Sequence, residues 1–381
     1  MLKDFLNAKP LYYDEIDYSR MPRVYETIKH KLTLPKIIHL IGTNGKGTTG
    51  RFLATALYST GHKVGHYSSP HILEFNERIW KNGKNINNVE LEEAHNELLN
   101  ILDANDAEAL SYFEYTTLLA MIVYKDVEYV VLEAGLGGEY DATAVFEKVL
   151  TLVTPIGIDH EAFLGDSIES IATTKLNAIQ NQAIIAKQRV KEVYEVALDI
   201  ETKKEVIITR VDEFITDSDR MKITKISDEN SLVEYLVENL TLAISALKYL
   251  SISYSVESFT KSKLYGRLTY LNKNILLDVG HNVLAARAIV KSLENKKYTL
   301  IYNSYKDKNY QEILSVLQPI LVDVEIIEVL DSRIESVETV EKVVETLSLK
   351  CSRFQKVDKN RNYLVFGSFS VAEAFLKVYN E

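Results

Sequence analysis

The stretch HLIGTNGKGTTGRF, residues 39–52, decides the fold. A glycine loop with a lysine and hydroxyl residues is a mark of phosphate binding, but the usual spacing is G-x-x-x-x-G-K-[ST]. Here Gly45-Lys46 is followed by Gly47, and Thr48 and Thr49 come one place late. The flanks help to settle the question. LPKIIHLIG (34–42) is a short, mostly apolar run leading into glycine, and GTTGRFLATALYSTG (47–61) has helical spacing up to Gly61. The loop therefore lies between a strand and a helix, where the first helical N–H groups are free to meet an anion. Glycine and threonine after a strand also make plain turns. Three glycines, a lysine and two threonines at one strand–helix junction favour phosphate instead. Lys46 would then pair with phosphate oxygens as a mobile point charge, and Thr48 would offer its hydroxyl to Mg²⁺.

The same alternation continues along the chain. KVGHYSS (63–69) reads as a second strand, YTTLLAMIVYKDV (115–127) as a helix, and EYVVLEAG (128–135) as a strand of a buried parallel sheet. VLTLVTPIGI (149–158) is another strand, SIESIATTKLNAIQ (167–180) a helix, and QAIIAK (182–187) a strand. This order predicts an α/β fold with a doubly wound, mainly parallel sheet. Residues 200–235 are polar and are expected to finish the domain with a small antiparallel element. NLTLAISALKYL (239–250) is an amphipathic helix. Around LYGRL (264–268) the pattern restarts. NILLDVGHN (274–282) reads as a strand ending in polar groups. It is followed by a helix (284–294), the strand YTLIYN (298–303), a helix from Tyr310, the strand VEIIEVL (324–330), a helix from Ser336 and the strand NYLVFGS (362–368). A second, smaller Rossmann-like α/β domain is expected, with boundaries at 1–265 and 266–381.

Size agrees with that division, since a single core stops growing at roughly 250–300 residues and the chain has 381. A hydrophobic fraction of 46% and a charged fraction of 26% are those of an ordinary globular protein. The net charge of −10 argues against general nucleic-acid affinity, while leaving room for a local pocket that takes small anions. Cys351 is the only cysteine, so no internal disulfide or cysteine metal cluster can form. MLKDFLNAKP has no long apolar core of a signal peptide, and no apolar run reaches the length of a membrane span. A cytoplasmic chain without membrane or nucleic-acid partners is expected. Nothing suggests an assembly surface, so a monomer is expected too.

Several other groups stand at predicted strand ends. SSPH (68–71) follows the second strand, and a serine–proline turn there is common in itself. EAGLGG (133–138) ends an apolar strand with Glu133, which alone reads equally well as a solvated strand end or a ligand. GIDHEAFLG (157–165) places Asp159 and His160 after another strand, and a lone histidine is more often structural. Strand ends of one parallel sheet converge on one rim, where ligands sit. Ser69, Glu133 and His160 there could hold Mg²⁺, with ATP phosphates completing the shell. Lys175, in a predicted helix, reads on its own as a solvated lysine.

GTNGKGTT, YSSPHILEFNERI, SYFEYTT, VVLEAGLGGEYDAT, IDHEAFLG, NLTLAISAL, LYGRL, LLDVGHN and LVFGSF occur in one order. Together they resemble the folylpolyglutamate synthase/dihydrofolate synthase family of the Mur ligase superfamily, from about Leu34 to Phe369. In that superfamily the loop reads G-K-G-T-T, so the late threonines are its ordinary form. The resemblance implies an ATP-dependent amide-bond ligase that adds L-glutamate to a folate and also to dihydropteroate. It would work through an acyl phosphate, with release of ADP and phosphate and with ATP and Mg²⁺ as cofactors. A carboxylate is a poor electrophile, and phosphorylation turns its oxygen into a leaving group.

The resemblance also assigns roles. Gly45, Lys46, Gly47, Thr48 and Thr49 match the phosphate loop. Ser69, Glu133 and His160 match magnesium ligands. Lys175 matches a lysine carried as a carbamate that helps hold a second metal, which reverses the solvated reading. Asn239 matches an adenine-side asparagine, Arg267 an arginine that reaches the ATP phosphates, and Asp278 a ribose or adenine contact. His281 and Asn282 match the motif that faces the reacting phosphate. Phe113 sits where an aromatic ring contacts the pterin, and reads equally as an ordinary core phenylalanine. Lys46, His160, Lys175 and His281 are the expected catalytic groups.

The chain departs from the family pattern at several places. Glu139 stands where arginine is usual, and Ala144 where asparagine is usual. Leu176-Asn177-Ala178 follows the lysine in place of Ala-Gly-Ile, and Tyr265 and Val283 replace prolines. The phosphate and metal residues are kept, so these changes bear on the glutamate or pterin pocket. Two other readings remain. A Mur-type ligase for another carboxylate, such as a peptidoglycan precursor, usually carries a separate N-terminal domain, whereas the strand before the loop already begins near Ile37. A nucleotide-binding switch without ligase activity predicts loss of metal or phosphate ligands, and Lys46, Ser69, Glu133 and His160 are all present.

Overall fold

The computed structural model describes residues 1–9, 17–293 and 296–380. The chain divides into two compact units. One comprises Met1–Gly157, Glu161–Leu232 and Leu236–Ser262, and the other Ile158–His160, Val233–Tyr235 and Lys263–Glu381. No helix among the described residues is long and apolar enough to cross a membrane.

The first unit is built on an eight-stranded sheet. Its strands are β1 (Lys36–Ile41), β2 (Val64–Tyr67), β3 (Ile79–Lys81), β4 (Lys84–Asn85), β5 (Tyr129–Glu133), β6 (Leu150–Val153), β7 (Gln182–Ile185) and β8 (Ile207–Arg210). They lie in the order β4-β3-β2-β5-β1-β6-β7-β8. The six strands from β2 to β8 in that order run parallel, and β3 and β4 add antiparallel edges. β1 is central and buried from its second residue on. Side chains alternate across it, as strand geometry requires. Ile37 packs into one apolar cluster with Val130 and Leu132, while Ile38 and Leu40 pack into another with Val131 and Leu152. His39, on the Ile37 side of the strand, is fully buried and shares a 2.7 Å hydrogen bond with Thr143 Oγ1. Burial, helped by the charge of Lys148, holds its imidazole well below the usual range, so it is a neutral core histidine.

Residues 200–235 correct the sequence expectation of a small antiparallel element. The helix Glu192–Lys204 carries the chain back over the sheet, and β8 then pairs parallel to β7. A crossover helix returns a strand in the same direction, so an antiparallel pairing is not available to it. The helix Asp217–Asn230 follows, with Ile223 and Ile226 buried. The antiparallel pieces occur instead at β3 and β4.

The second unit has a six-stranded sheet made of β9 (Thr269–Asn272), β10 (Ile275–Leu277), β11 (Tyr298–Tyr302), β12 (Leu321–Ile326), β13 (Lys350–Arg353) and β14 (Tyr363–Phe366). The order is β13-β12-β11-β14-β10-β9, parallel except for the β9 edge. Its own core gathers Leu276, Leu300, Tyr302, Val324, Leu364 and Phe366. The strand expected over 324–330 is found over Leu321–Ile326, and the end of the helix expected over 284–294 falls at Glu294, outside the described residues.

Candidate active site

The glycine loop leaves the carboxyl end of β1 and turns into the helix Lys46–Ser59. Gly42 and Gly45 hold φ of +135° and +95°, a region that favours glycine. A Cβ on Gly45 would lie 2.5 Å from Asn239 Oδ1, so the loop and the helix Glu234–Tyr249 approach too closely for any side chain there. The loop is tied down from the next strand: Thr43 N and Asn44 N donate to Pro155 O at 3.0 and 3.2 Å, and Thr43 Oγ1 donates to Gly157 O at 3.0 Å. Lys46 Nζ bends back to Gly42 O and Thr43 O at 3.1 and 3.3 Å.

Strand adjacency brings the next groups in. β2, β5 and β1 are neighbours, so Ser69, Glu133 and Lys46 emerge at one end of one sheet. Glu133 is buried at the end of β5. Its Oε2 accepts from Ser69 N at 3.3 Å, and its Oε1 lies 3.9 Å from Lys46 Nζ. The hydroxyls of Thr48 and Thr49 and Nδ2 of Asn239 are buried without a hydrogen-bond partner among the described residues. Leaving such a group unsatisfied costs about 1–3 kcal/mol, which suits a site completed by a ligand. Hydroxyl and carboxylate oxygens are also the donors Mg²⁺ prefers, and free N–H groups at a helix start suit phosphate. The donor set therefore fits Mg²⁺ and a nucleotide phosphate, although no group of three His, Cys, Asp or Glu suited to a metal occurs among the described residues.

Lys175 lies in the last turn of the helix Ile168–Leu176 and is buried, unlike the solvated lysine its sequence context suggested. The turn after Glu133 runs against it: a Cβ on Gly138 would be 2.5 Å from Lys175 O. Phe113, near the start of the helix Tyr112–Val123, is partly buried and packs on Gly135, where a Cβ would meet its ring at 2.6 Å. A cavity of about 200 Å³ nearby in sequence is lined by Tyr18, Tyr25, Glu139, Tyr140, Asp141 and Ala144, among others. It contains two of the positions that depart from the family pattern.

His160 belongs to the second unit by its contacts, with Asp159. It takes φ of +55°, and its N–H donates to Asp159 Oδ1 at 2.9 Å. Asp159 is the hub of this unit's polar site. Lys308 Nζ donates to it at 2.7 Å and Asn282 Nδ2 at 2.9 Å, while His281 Nε2 lies 3.7 Å away. Burial alone would push the carboxyl up, but the neighbouring His281, with His160 and Lys308, holds it well below the usual range. Asn282 also caps the helix Val283–Leu293 by accepting from Ala285 N at 2.9 Å. Asp278 follows β10 and is buried. Its oxygens accept from Gly280 N at 2.8 Å, Leu268 N at 2.9 Å and Tyr235 Oη at 3.0 Å. Burial pushes this carboxyl up, opposed by the nearby Arg267. Arg267 stacks its guanidinium 5.3 Å from the Phe369 ring and donates to Gly266 O at 3.1 Å.

The structure thus joins Lys46, Ser69 and Glu133 in the first unit, and His160, His281 and Asn282 around Asp159 in the second. Sequence reasoning gave no role to Asp159 itself, to Lys308 or to Tyr235. Asp159 had a signal, its place in the IDHE strand end. Lys308 stands in a plain polar run, 149 residues from its partner, and nothing local marks it.

No family model matches the chain. The dihydrofolate synthase/folylpolyglutamate synthase of Haemophilus influenzae is 30% identical, over 96% of this chain and 93% of that protein. The crystal structure of Helicobacter pylori folylpolyglutamate synthetase is 40% identical and superposes with a TM-score of 0.80 over 100% of this chain and 98% of the other. The Mycobacterium tuberculosis folylpolyglutamate synthase, solved in complex with ADP, shares the fold at a TM-score of 0.85 and 22% identity, covering 100% of this chain and 98% of that one. The glycine loop, the strand-end carboxylate and near full-length relatives of one kind agree, and the chain belongs to the dihydrofolate synthase/folylpolyglutamate synthase family.

Proposed function

We propose that this protein is an ATP-dependent, ADP-forming ligase that joins L-glutamate to a folate, and also to dihydropteroate. The observation that carries the reading is the meeting of Lys46, Ser69 and Glu133 at one sheet end beside the Thr48 hydroxyl, which has no partner among the described residues. In this reading the first unit is the ATP-binding part with the folate site, and the second is the glutamate-ligase part. When bound, Mg-ATP supplies the phosphoryl group that turns the substrate carboxylate into an acyl donor. Lys46 swings from the loop carbonyls to phosphate oxygens, offsetting the repulsion between anionic reactants. Thr48, Ser69, Glu133 and His160 would hold Mg²⁺, and Lys175, as its carbamate, a second ion. Gly45 and Gly47 would cradle phosphate with backbone N–H groups, and Thr49, whose own N–H closes the first helical turn on Gly45 O at 2.8 Å, would offer its hydroxyl. Asn239, Arg267 and Asp278 orient the nucleotide, His281 and Asn282 face the reacting phosphate, and Asp159 fixes both of these side chains. Phe113 contacts the pterin, and the cavity beside Glu139 and Ala144 is the place where this chain's folate preference differs.

The same reading makes the protein a cytoplasmic monomer that handles small molecules rather than nucleic acid or membrane. The lone Cys351 and the net charge of −10 support it. A Mur-type ligase for another carboxylate is the second reading, favoured only by the departures at Glu139 and Ala144. ADP release is the test, measured with Mg-ATP, L-glutamate and either dihydropteroate or tetrahydrofolate. Release with both is expected, and Lys46→Ala should abolish it. Release with tetrahydrofolate alone would leave a chain-extending synthase. Silence with both, in protein that binds ATP, would overturn the folate reading.

A further inference from the structure

Two departures from the family pattern touch each other. Glu139 replaces arginine in the glycine turn and Asn177 replaces glycine two places after Lys175, yet Asn177 Nδ2 donates to Glu139 Oε2 at 2.8 Å across 38 residues of chain. The contact is one of several that clamp the same short piece of helix. Glu139 N donates to Thr174 O at 2.9 Å, and Gly138 lies so close to Lys175 O that no Cβ would fit between them. On the other side Lys204 Nζ donates to Asn177 O and, at 2.7 Å, to Ile179 O, satisfying carbonyls that a helix end leaves open. Asn177 N closes the last turn on Thr173 O at 2.9 Å. Lys175 sits inside this clamp, 4% exposed.

We propose that Glu139 and Asn177 form a positioning pair that fixes Lys175 for the ligation reaction, and that the two replacements work only together. The pair rests on the proposed function for its catalytic consequence, though not for its geometry. The chemistry explains why neither change stands alone. An arginine at 139 could not accept from Asn177 Nδ2 and would set a second cation near Lys204. A glycine at 177 would leave Glu139 without its side-chain donor. Glu139 also opposes the lowering that burial imposes on the Lys204 ammonium, an effect on Lys204 apart from the hydrogen bond to Asn177.

The test is a double-mutant cycle in the full chain with Glu139→Ala, Asn177→Ala and both, together with Glu139→Gln as the conservative variant. Two readouts are taken: kcat and KM for ATP, and the rate at which an N-hydroxysuccinimide acetate acylates Lys175, followed by peptide mass spectrometry. Each alanine variant is expected to lose on the order of ten- to a hundredfold in kcat with KM for ATP within about twofold. Lys175 acylation should rise by about tenfold in the same variants, and the double variant should be no worse than either single one. Glu139→Gln keeps an acceptor for Asn177 and should match the parent in both readouts. Unchanged acylation in both alanine variants, or losses in kcat that simply multiply, overturns the pair. Faster acylation with unchanged kcat overturns its catalytic part. A parent protein that releases no ADP with either folate sinks the proposed function instead, and the acylation rates then decide the pair alone.

Discussion

Lys148 is an instructive residue because burial and charge oppose each other there. Its side chain is buried below the sheet end, with Nζ donating to Ala144 O at 2.6 Å. Burial pushes its ammonium down to about 7; Asp141 works against that, and Lys204 adds to it. His39, also buried, feels the same charge. The sign follows directly. Between about 7 and the ordinary 10.5 the unfolded lysine keeps a proton that the folded one has released. The unfolded state binds more protons in that window, so stability rises with pH, by up to about 1.4 kcal/mol per pH unit. Below about 7 both states are protonated and the dependence vanishes. Lys148→Met removes the group and should flatten the curve between pH 7 and 10 relative to the parent, read by urea unfolding at successive pH values. Parallel curves for the two proteins would mean that the buried ammonium finds solvent on its own.

At the level of elements, the helix Tyr112–Val123 matters because it presents Phe113. Its start is a capping box: Ser111 Oγ accepts from Glu114 N at 3.2 Å, and Glu114 Oε2 accepts from Ser111 N at 2.7 Å. Arg20 Nε adds a 2.7 Å ion pair to the same carboxylate. Ser111→Ala should cost about 1 kcal/mol and lower the melting temperature by about 2–4 °C. A melting temperature unchanged to within a degree would show that Arg20 and tertiary packing hold the helix start without the serine. The β1–loop–helix unit, by contrast, was fully legible, because glycines at positive φ are forced by close approach and leave a pattern in the sequence. The strand β8 was not legible, since it is an edge strand with no fully buried residue and so lacks an apolar run. The helix Asp217–Asn230 hid for a similar reason, burying only three of its side chains. At the site, Lys46, Ser69 and Glu133 could be read as strand-end groups of neighbouring strands. The Asp159–Lys308 contact could not, because no local pattern encodes a partner so distant in sequence.

For the whole molecule the governing fact is that an acidic chain, with net charge −10, is read as handling ATP, glutamate and folate, all of them anions. Attraction must then be local, and it must come from the loop with its Lys46 and from Mg²⁺ rather than from the surface field. A ligand that binds only the folded protein stabilises it by RT ln(1 + [L]/Kd), about 2.7 kcal/mol at a hundredfold excess over Kd. For a unit the size of the first one, this corresponds to a rise in melting temperature of about 5–10 °C. Calorimetry with Mg-ATP should show that rise, and chelating the metal with EDTA should remove most of it. Lys46→Ala should keep the parent's melting temperature without nucleotide and lose most of the shift with it, because among the described residues the lysine's polar contacts are two loop carbonyls and, at 3.9 Å, Glu133. A full shift in Lys46→Ala would assign nucleotide affinity to the backbone N–H groups and the bound metal, leaving the lysine to act on the reacting charge alone. No shift in the parent protein would remove the phosphate reading of the loop altogether.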